Sequence, residues 1–399
     1  MLQKHDPVRV SVASGPPTCE FALCFGRVII LSPLLIPGPL PATAQNADGK
    51  AGTVGVTEAV TVNSLPGPPS RHNDGAANAP AGTPQLPNLL SDYALRPPWK
   101  VAGVDYAVGV PRGTALKDPT TISMPGVSID TTRHIIFVTG SNVTLDGYDF
   151  SLHGGWSVYI ERGRSDTVIE NSKFLVGANN LVPIAAESGA GKLTVEYCTI
   201  DGGGFGVAGN PGAIYTLISY NGSGGLTVEY DWLKNAPQHI IEFRNGTLID
   251  QYNLIQNAGY FVGAHVNDVQ FNGSVSDGSV IGFNTVFNPQ PVNGYPIPGE
   301  GIQVEAQLGS TITHTRVENN TIVATGPSPT ASYLIVIRQD AGPNMIDGIA
   351  VHGNYLDTTG AYGPFYPPTG SNVTFTDNWN MVTGSQFPSS PPASKQRQR

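Results

Sequence analysis

Residues 315–322 read TRVENNTI, and residues 349–356 repeat the same pattern as IAVHGNYL. In both stretches the third and eighth positions are apolar and the sixth is Asn. Seven further windows align with these two, at residues 143–150, 167–174, 193–200, 226–233, 247–254, 279–286 and 373–380. The third position is apolar in all nine windows, including Ile249 in the fifth, and the eighth is apolar in all but the last. The chain therefore repeats one supersecondary unit.

The windows begin at intervals of 21 to 36 residues, as expected for one unit with loops of variable length. Each window reads as a strand, a turn and a second strand, and it can bury its apolar face only by stacking on its neighbours. The sixth position is Asn in the last four windows, at Asn284, Asn320, Asn354 and Asn378. Asn tolerates left-handed backbone, and its amide can bond to the next Asn about 4.8 Å away in a stack. An antiparallel sandwich would not place Asn at one phase of successive units.

The nine windows resemble the rungs of right-handed parallel β-helix proteins of the pectin-lyase-like superfamily, over roughly residues 130–382. The resemblance implies an all-β solenoid of about nine or more rungs. It also implies a long carbohydrate lying along one outer face, because members of this superfamily are mostly secreted carbohydrate-active proteins. The active-site signatures of polygalacturonases and pectate lyases are absent from the sequence, so the resemblance assigns no catalytic residue.

Composition favours a β-rich and turn-rich chain over a helical one. The 399 residues include 48 Gly and 34 Pro, and only 13% are charged, against roughly 25% in average globular proteins. The formal charge of −9 argues against a nucleic-acid partner, because phosphate binding requires clustered Lys and Arg. Beyond the leader, no stretch approaches the length of an apolar membrane span. We expect a monomer.

The first residues predict export. An apolar run over residues 27–37 is followed by small residues ending at Ala44, as in a signal peptide. We therefore interpret residues 1–44 as a leader and expect a secreted protein, extracellular or periplasmic. Residues 45–98 are rich in Pro, Gly and Ala and predict a linker. Residues 99–386 are the predicted β-helix domain, with an N-terminal cap over 99–130, and residues 387–399 are a predicted disordered tail.

A column of carboxylates is predicted on one outer face. Side chains alternate along a strand, so the fourth positions face outward if the third positions face inward. Neighbouring like charges about 4.8 Å apart repel by roughly 0.5–1 kcal/mol in water. One interpretation is a cation site, of which Ca²⁺ is the candidate cofactor, and the alternative is a solvated face without metal. The first five fourth positions are Asp146, Glu170, Glu196, Glu229 and Asp250, and the last four of these are the candidate ligands.

Strands between the windows predict a second outward face with mixed chemistry. The predicted outward side chains are Tyr159, Glu161, Glu242, Gln303, Glu305 and Arg338, with His239, Arg244, His265, Asp268 and Asp340 at the strand ends. Acids, bases and an aromatic residue together suit a sugar cleft. The candidate substrate contacts are Tyr159, Glu161, Arg244, His265, Gln303 and Asp340.

Two chemistries fit this face. If Glu242 and Glu305 are two rungs apart, their separation of about 9.5 Å is at the upper end for an inverting glycosidase. A lyase would instead neutralise a uronate carboxylate and remove a proton, for which Arg338, Arg244 or His239 would serve. The catalytic candidates are therefore Glu242, Glu305, Arg338 and His239.

The sequence leaves two classes of function open. The first is a secreted polysaccharide lyase or glycoside hydrolase that uses a groove on the outer face. The second is a non-catalytic solenoid that binds glycan or serves as a cell-surface or adhesin-like module. In both, the predicted partner is a polysaccharide or other glycan.

Overall fold

The computed structural model describes residues 82–180, 182–203, 216–259, 266–271, 275–288, 299–323, 332–357, 360 and 362–389. All of them belong to the unit formed by residues 66–399. The predicted leader, residues 45–81 of the predicted linker and residues 390–399 of the predicted tail lie outside the described residues.

Most of the described strands lie in three long sheets, whose neighbouring strands are parallel except for the first pair of sheet A. Sheet A contains, in spatial order, β1 (Val127–Asp130), β2 (Ile135–Val138), β4 (Ser157–Ile160), β7 (Ile184–Ala186), β10 (Thr216–Tyr220), β13 (His239–Phe243), β16 (Val266–Phe271), β20 (Gly299–Ala306) and β24 (Tyr333–Gln339). Sheet B contains β3 (Thr144–Asp146), β5 (Thr167–Glu170), β8 (Leu193–Glu196), β11 (Leu226–Glu229), β14 (Leu248–Gln251), β18 (Val280–Gly282), β22 (Arg316–Glu318), β26 (Ala350–His352) and β28 (Thr374–Thr376).

Sheet C contains β6 (Lys173–Leu175), β9 (Thr199–Asp201), β12 (Trp232–Ala236), β15 (Leu254–Ala258), β19 (Thr285–Phe287), β23 (Thr321–Val323), β27 (Tyr355–Leu356) and β29 (Trp379–Asn380). Sheet D is short and contains β17 (Val275–Asp277), β21 (Thr311–Thr313) and β25 (Met345–Asp347). Two 3₁₀ turns lie at Pro119–Thr121 and Leu152–Gly154. Among the described residues, no helix is long and apolar enough to cross a membrane.

The chain passes from a sheet B strand to a sheet C strand, then to sheet A and back to sheet B, and each pass pairs with the one before it. The last repeats insert a sheet D strand between sheets A and B. This arrangement is consistent with a β-solenoid, so the predicted all-β parallel architecture is confirmed. Each sequence window corresponds to a sheet B strand, its turn and the sheet C strand that follows.

The turn between sheets B and C has one backbone conformation throughout. Its fifth position is left-handed in every repeat, although non-Gly residues in this region cost roughly 1–2 kcal/mol each. Tertiary packing therefore has to compensate a recurrent local strain. The φ values lie between 50° and 68°, at Gly147, Asn171, Tyr197, Tyr230, Tyr252, Phe283, Asn319, Gly353 and Asp377.

In the last five repeats, buried Asn residues supply hydrogen bonds that fix this turn. The Oδ1 atom of Asn320 accepts a hydrogen bond from the backbone N–H of Asn284 at 3.1 Å. Its Nδ2 atom donates to the carbonyl of Ile281 at 2.9 Å. Each Asn of this ladder thus ties its turn to the preceding repeat, as the sequence predicted, but the left-handed residue is the one before the Asn. The ladder comprises Asn253, Asn284, Asn320, Asn354 and Asn378.

The fifth repeat begins one residue later than the sequence window. Leu226 pairs with Leu248, and Val228 pairs with Asp250. This register places Asn253 in the ladder, and it turns Ile249 toward solvent. The prediction that Ile249 faces inward is wrong, because a shift of one residue moves every side chain to the opposite face of a strand.

Asp250 is consequently an interior residue, and its predicted place in the outward carboxylate column is wrong. It is fully buried. Its carboxylate accepts hydrogen bonds from Asn253 Nδ2 at 2.8 Å and from Asn284 Nδ2 at 3.0 Å. Burial raises the pKa of Asp250 to about 7, although both amide hydrogen bonds act in the opposite direction.

The interior of the stack is filled by the apolar third positions and by aromatic residues of sheet A. Apart from Ile249, the side chains at the third position of the windows are all buried. Along sheet A, the Tyr220 and Phe243 rings are stacked with centroids 5.6 Å apart, and Phe243 lies 4.9 Å from Phe271. Because successive repeats contribute equivalent side chains, the core is continuous along the described repeats.

Residues 82–118 form a strap that runs along sheet C and its turns, from the last repeat to the first. Leu90, Val101 and Val104 are buried against side chains of the last repeats. Residues 82–98, which were predicted to be part of a linker, are thus packed against the repeats. Residues 99–118, which were predicted to cap the end of the stack, lie along the length of sheet C. The strap is tied down by hydrogen bonds from the N–H groups of Leu95, Gly109 and Lys117 to the carbonyls of Met381, Tyr230 and Gly147, at 3.0, 2.8 and 2.8 Å.

Phe387, the first residue of the predicted tail, is also packed. Its ring lies 5.4 Å from Phe365, and its N–H donates to the Asn378 carbonyl at 2.7 Å. The packed region therefore extends past residue 386.

Replacing Asn320 by Ala should destabilise the fold, because it removes an acceptor and a donor that neighbouring repeats use and leaves their buried partners unpaired. We expect a loss of roughly 2–4 kcal/mol in the free energy of unfolding, measured by urea denaturation. The adjacent Asn319→Gly variant is the matched control, since Gly adopts the left-handed conformation without strain. Equal stability losses in the two variants would contradict a specific role for the ladder amide.

Asp231 occupies the ladder position before Asn253, and one of its oxygens lacks a partner. Oδ1 accepts from the Cys198 N–H at 2.5 Å, while Oδ2 is buried without a hydrogen bond. In the Asn repeats, Nδ2 occupies this place and donates to the third-position carbonyl of the preceding repeat. Burial is the main cause that raises the pKa of Asp231 well above its ordinary value.

Asp231→Asn should therefore stabilise the protein, most of all at neutral and alkaline pH. A carboxyl whose folded pKa is raised contributes full stability only below its unfolded pKa, and that contribution is lost as pH rises through the folded pKa. We expect the variant's free energy of unfolding to exceed that of the wild type by about 1–3 kcal/mol at pH 8, and by less toward pH 4. Urea denaturation across that pH range measures the difference. The exposed Asp92→Asn serves as control. A gain that does not vary with pH would contradict the protonation argument.

Candidate functional site

The outward face of sheet A carries a continuous column of side chains, one from each repeat. Strand pairing places each residue of this column directly beside the next. The first five members are partly exposed, whereas the last three are buried. The face therefore divides into an open half and a closed half. In order, the column comprises Phe137, Tyr159, Ala185, Ser219, Glu242, Gln270, Gln303 and Val336.

The open half forms a trough between an aromatic residue and an ion pair. Its floor is Ala185 and Ser219, whose short side chains do not reach over their neighbours. Tyr159 stands at one end of this floor and Glu242 at the other, three repeats or about 14 Å apart. Arg244 Nη2 donates to Glu242 Oε1 at 2.5 Å. The trough thus combines a flat apolar ring with a fixed, charge-compensated polar group.

Beyond Tyr159, the same face opens into a cavity of about 600 Å³, lined by residues 128–131, Arg133, Phe137 and Glu161. This volume is within the range of small-molecule sites, roughly 300–1,000 Å³. Arg133 pairs with Asp130 at 2.6 Å, and its guanidinium lies over the Phe137 ring, 5.2 Å from the centroid. The Tyr159 and Phe137 rings meet edge to face, with centroids 5.8 Å apart. Phe137, which lines the cavity, and Tyr159, which borders the trough, are neighbours in the column.

The Tyr159 hydroxyl lies near two acidic side chains. Burial of the phenol raises its pKa, and the nearby carboxylates of Glu187 and Glu161 raise it further. The phenol is therefore neutral at physiological pH and retains its O–H donor. A neutral hydroxyl on an aromatic ring at the edge of a trough can contact both the apolar face and the hydroxyls of a sugar.

The closed half contains a buried network of polar side chains. The His239 Nδ1 atom accepts from the Asn267 N–H at 3.2 Å, and the Asn267 amide donates to Gln303. Gln303 in turn donates to Glu305 Oε2 at 2.8 Å. At the far end Glu305 forms an ion pair with Arg338, which also lies 3.2 Å from Asp340. Five of the predicted site residues thus belong to one connected network.

The predicted spacing of the two glutamates is not the one observed. Glu242 lies in register with Gln303, so Glu305 is displaced by two repeats and by two residues along its strand. This offset separates their Cα atoms by about 12 Å, and Glu305 is 2% exposed and paired with Arg338. The two glutamates are therefore farther apart on the sheet than two repeats alone would place them. The sequence could not reveal the offset because the loops between windows vary in length.

The structure brings together most of the other predicted residues. Tyr159, Glu161, Glu242 and Arg244 line the open half, and His265 lies outside the described residues. Asp268 is buried, and its Oδ2 atom accepts from Asn288 Nδ2 at 2.8 Å. Burial raises the pKa of Asp268 to about 8.

Sequence reasoning missed the residues around the cavity, namely Asp130, Arg133 and Phe137. They lie on β1 and β2 or in the turn between them, ahead of the first window, where no strand was assigned. The continuous apolar run of residues 135–138, which read IIFV, could have identified β2. Ala185 and Ser219 were missed because small side chains carry no chemical signal until their neighbours are known.

On sheet B, the outward column contains four consecutive carboxylates: Asp146, Glu170, Glu196 and Glu229. Gln251 takes the place predicted for Asp250. Burial and the charges of Asp146 and Glu196 raise the pKa of Glu170, which hydrogen-bonds with Glu196. A shared proton is thus one means of relieving repulsion in this column. Among the described residues, no group of three or more His, Cys, Asp or Glu side chains has an arrangement suited to a metal ion.

Further along this column, Glu318 has the opposite environment. Arg316 and His352 lie 3.1 and 2.9 Å from its carboxylate. Burial disfavours the charged form of Glu318, but the hydrogen bond from His352 and the charge of Arg316 outweigh it, so its pKa is lowered.

Glu170→Gln and Glu318→Gln should therefore change stability in opposite directions at pH 7. Removing Glu170 relieves like-charge repulsion and should stabilise the protein by about 0.5–1 kcal/mol. Removing the Glu318 charge leaves Arg316 and His352 without their partner and should destabilise by a similar amount. The measurement is urea denaturation with EDTA and again with added Ca²⁺. Stabilisation of the wild type by Ca²⁺, lost in Glu170→Gln, would instead support the predicted calcium site.

No protein-family model, curated protein or solved structure matches the chain. The function proposed for the chain therefore rests on its own residues and their geometry.

Proposed function

We propose that the protein binds a linear glycan along the open half of sheet A, with the chain of sugar units following the stack of repeats. The observation that supports this most is the trough itself, in which Tyr159 and the Glu242–Arg244 pair border a floor of Ala185 and Ser219. A parallel stack presents equivalent positions about every 4.8 Å. A repeating ligand suits a repeating surface.

Each part of the trough has a counterpart in sugar chemistry. Ring C–H groups of a pyranose form an apolar patch that packs on an aromatic face, as Tyr159 offers. Sugar hydroxyls are both donors and acceptors, and the paired Glu242 and Arg244 supply both kinds of partner. The short side chains of Ala185 and Ser219 leave space for the ligand above the sheet.

The right-handed parallel β-helix of the pectin-lyase-like superfamily remains the fold we propose for the parallel stack. Export of the protein, predicted from residues 1–44, is part of the same proposal, because structural polysaccharides lie outside the cytoplasm. Monomeric binding is assumed in the proposal, since one chain contains the whole trough.

Cleavage of the bound glycan is the second candidate. The observation that favours it is the buried network that connects His239 through Asn267 to Gln303, a member of the sheet A column, and then to Glu305 and Arg338. Titratable side chains held out of solvent beside a cleft are typical of catalytic sites. The protein is incubated with glycans, and reducing ends and ultraviolet absorbance are measured. New reducing ends without a rise in absorbance would indicate hydrolysis, whereas new reducing ends with such a rise would indicate elimination. A Glu305→Gln variant with unchanged turnover would remove that residue from the chemistry.

Tyr159→Ala should weaken glycan binding by about tenfold or more, because it removes the aromatic surface at the edge of the trough. Retardation of the native protein in gels containing soluble polysaccharide measures the affinity. Tyr159→Phe should retain most of the affinity for glycan. Tyr362 is an exposed aromatic residue elsewhere in the described repeats, and Tyr362→Ala should leave the affinity unchanged. Equal retardation of Tyr159→Ala and the wild type would contradict a role for the trough.

A further inference from the structure

The cavity at the first repeats of sheet A has one carboxylate whose partners are not already supplied by the protein. The Asp130 carboxylate is engaged by Arg133 at 2.6 Å, and that of Glu187, in the next repeat, accepts the Arg162 N–H at 3.0 Å. The Glu161 carboxylate has no ion pair or hydrogen bond among the described residues, and it lines the cavity. A half-buried acceptor without a partner suits a ligand that donates hydrogen bonds.

The charge of the region argues for an uncharged ligand. The Arg133 and Arg244 guanidinium groups are paired with carboxylates, so neither is free to bind a uronate. The acids on or beside this face are Asp130, Glu161, Glu187 and Glu242, and the whole chain carries −9. Of the nearby arginines, Arg162 donates from Nε to the Ser188 carbonyl at 3.1 Å. An anionic glycan would meet no net attraction here.

The apolar part of the cavity wall fits the same ligand. Phe137 and Tyr159 form an edge-to-face pair, and the Arg133 guanidinium lies over the Phe137 ring. A pyranose ring lying against this wall would direct hydroxyl groups toward Glu161.

We propose that this cavity is a subsite for an uncharged sugar unit, with Glu161 accepting hydrogen bonds from its hydroxyls and with Phe137, which contacts Tyr159 of the next repeat, as its apolar wall. The inference rests on the proposed glycan binding and adds the class of glycan, a neutral polysaccharide. It also places one end of the bound chain at the start of the stack of repeats.

Isothermal titration calorimetry of the full chain tests the subsite. The probes are neutral cello-, xylo- and manno-oligosaccharides, an oligogalacturonate as the anionic probe and an oligoglucosamine as the cationic one. We expect a neutral oligosaccharide to bind most tightly, with a Kd that changes little between low and high salt. Glu161→Gln should weaken this binding about tenfold, because a charged acceptor is lost. Glu187→Gln, the matched control in the next repeat, should change it by less than about twofold.

Three results would overturn the inference. Tightest binding of the oligogalacturonate or of the oligoglucosamine, with steep salt dependence, would assign the face to a charged glycan. Neutral binding that Glu161→Gln leaves unchanged would move the subsite elsewhere while keeping the proposed function. Failure of every probe to bind would overturn the proposed function and this inference together. Circular dichroism and thermal melting of both variants establish that any loss of binding is not a loss of folding.

Discussion

The buried amide ladder fixes how the last five repeats of the stack lie on one another. Each Asn side chain joins its own turn to the backbone of the preceding repeat, as Asn320 does with Asn284 and Ile281. Because these bonds connect specific backbone groups, they fix the register of sheets B and C, and side-chain alternation then fixes which residues face inward. The outward columns follow from that register. A ladder that slipped by one residue would bury the carboxylates and expose the core.

The sequence predicted this part of the structure well because its signal is local. Apolar third positions and Asn sixth positions lie within one window, so alignment of the windows recovered sheets B and C and their parallel stacking. The single error in phase, at the fifth window, came from choosing Ile249 over Asp250 as the interior residue. An apolar side chain is normally the better interior choice, and only the hydrogen bonds from Asn253 and Asn284 make Asp250 acceptable there. The phase of Asn253 was the available clue.

Sheet A and the strap were less predictable because their contacts are not local. The offset between Glu242 and Glu305 depends on loops of different length, and no pattern within one strand reports it. Residues 82–98 of the strap show little apolar periodicity, and Leu90 and Val101 acquire a partner only because residues distant in sequence converge on sheet C. The trough was predicted in part: Tyr159 and Glu242 carry recognisable chemistry, whereas Ala185 and Ser219 matter through what they leave open. The trough lies in the first repeats, where the sixth positions are Tyr148, Ser172, Cys198 and Asp231 instead of Asn.

The structure of the chain in complex with the neutral oligosaccharide it binds most tightly is the most direct test of this account. Sugar rings should lie over Ala185 and Ser219, with one ring against Tyr159 and a hydroxyl within hydrogen-bond distance of Glu161. A ligand seated instead on the carboxylate column of sheet B, around Glu170 and Glu196, would contradict the account.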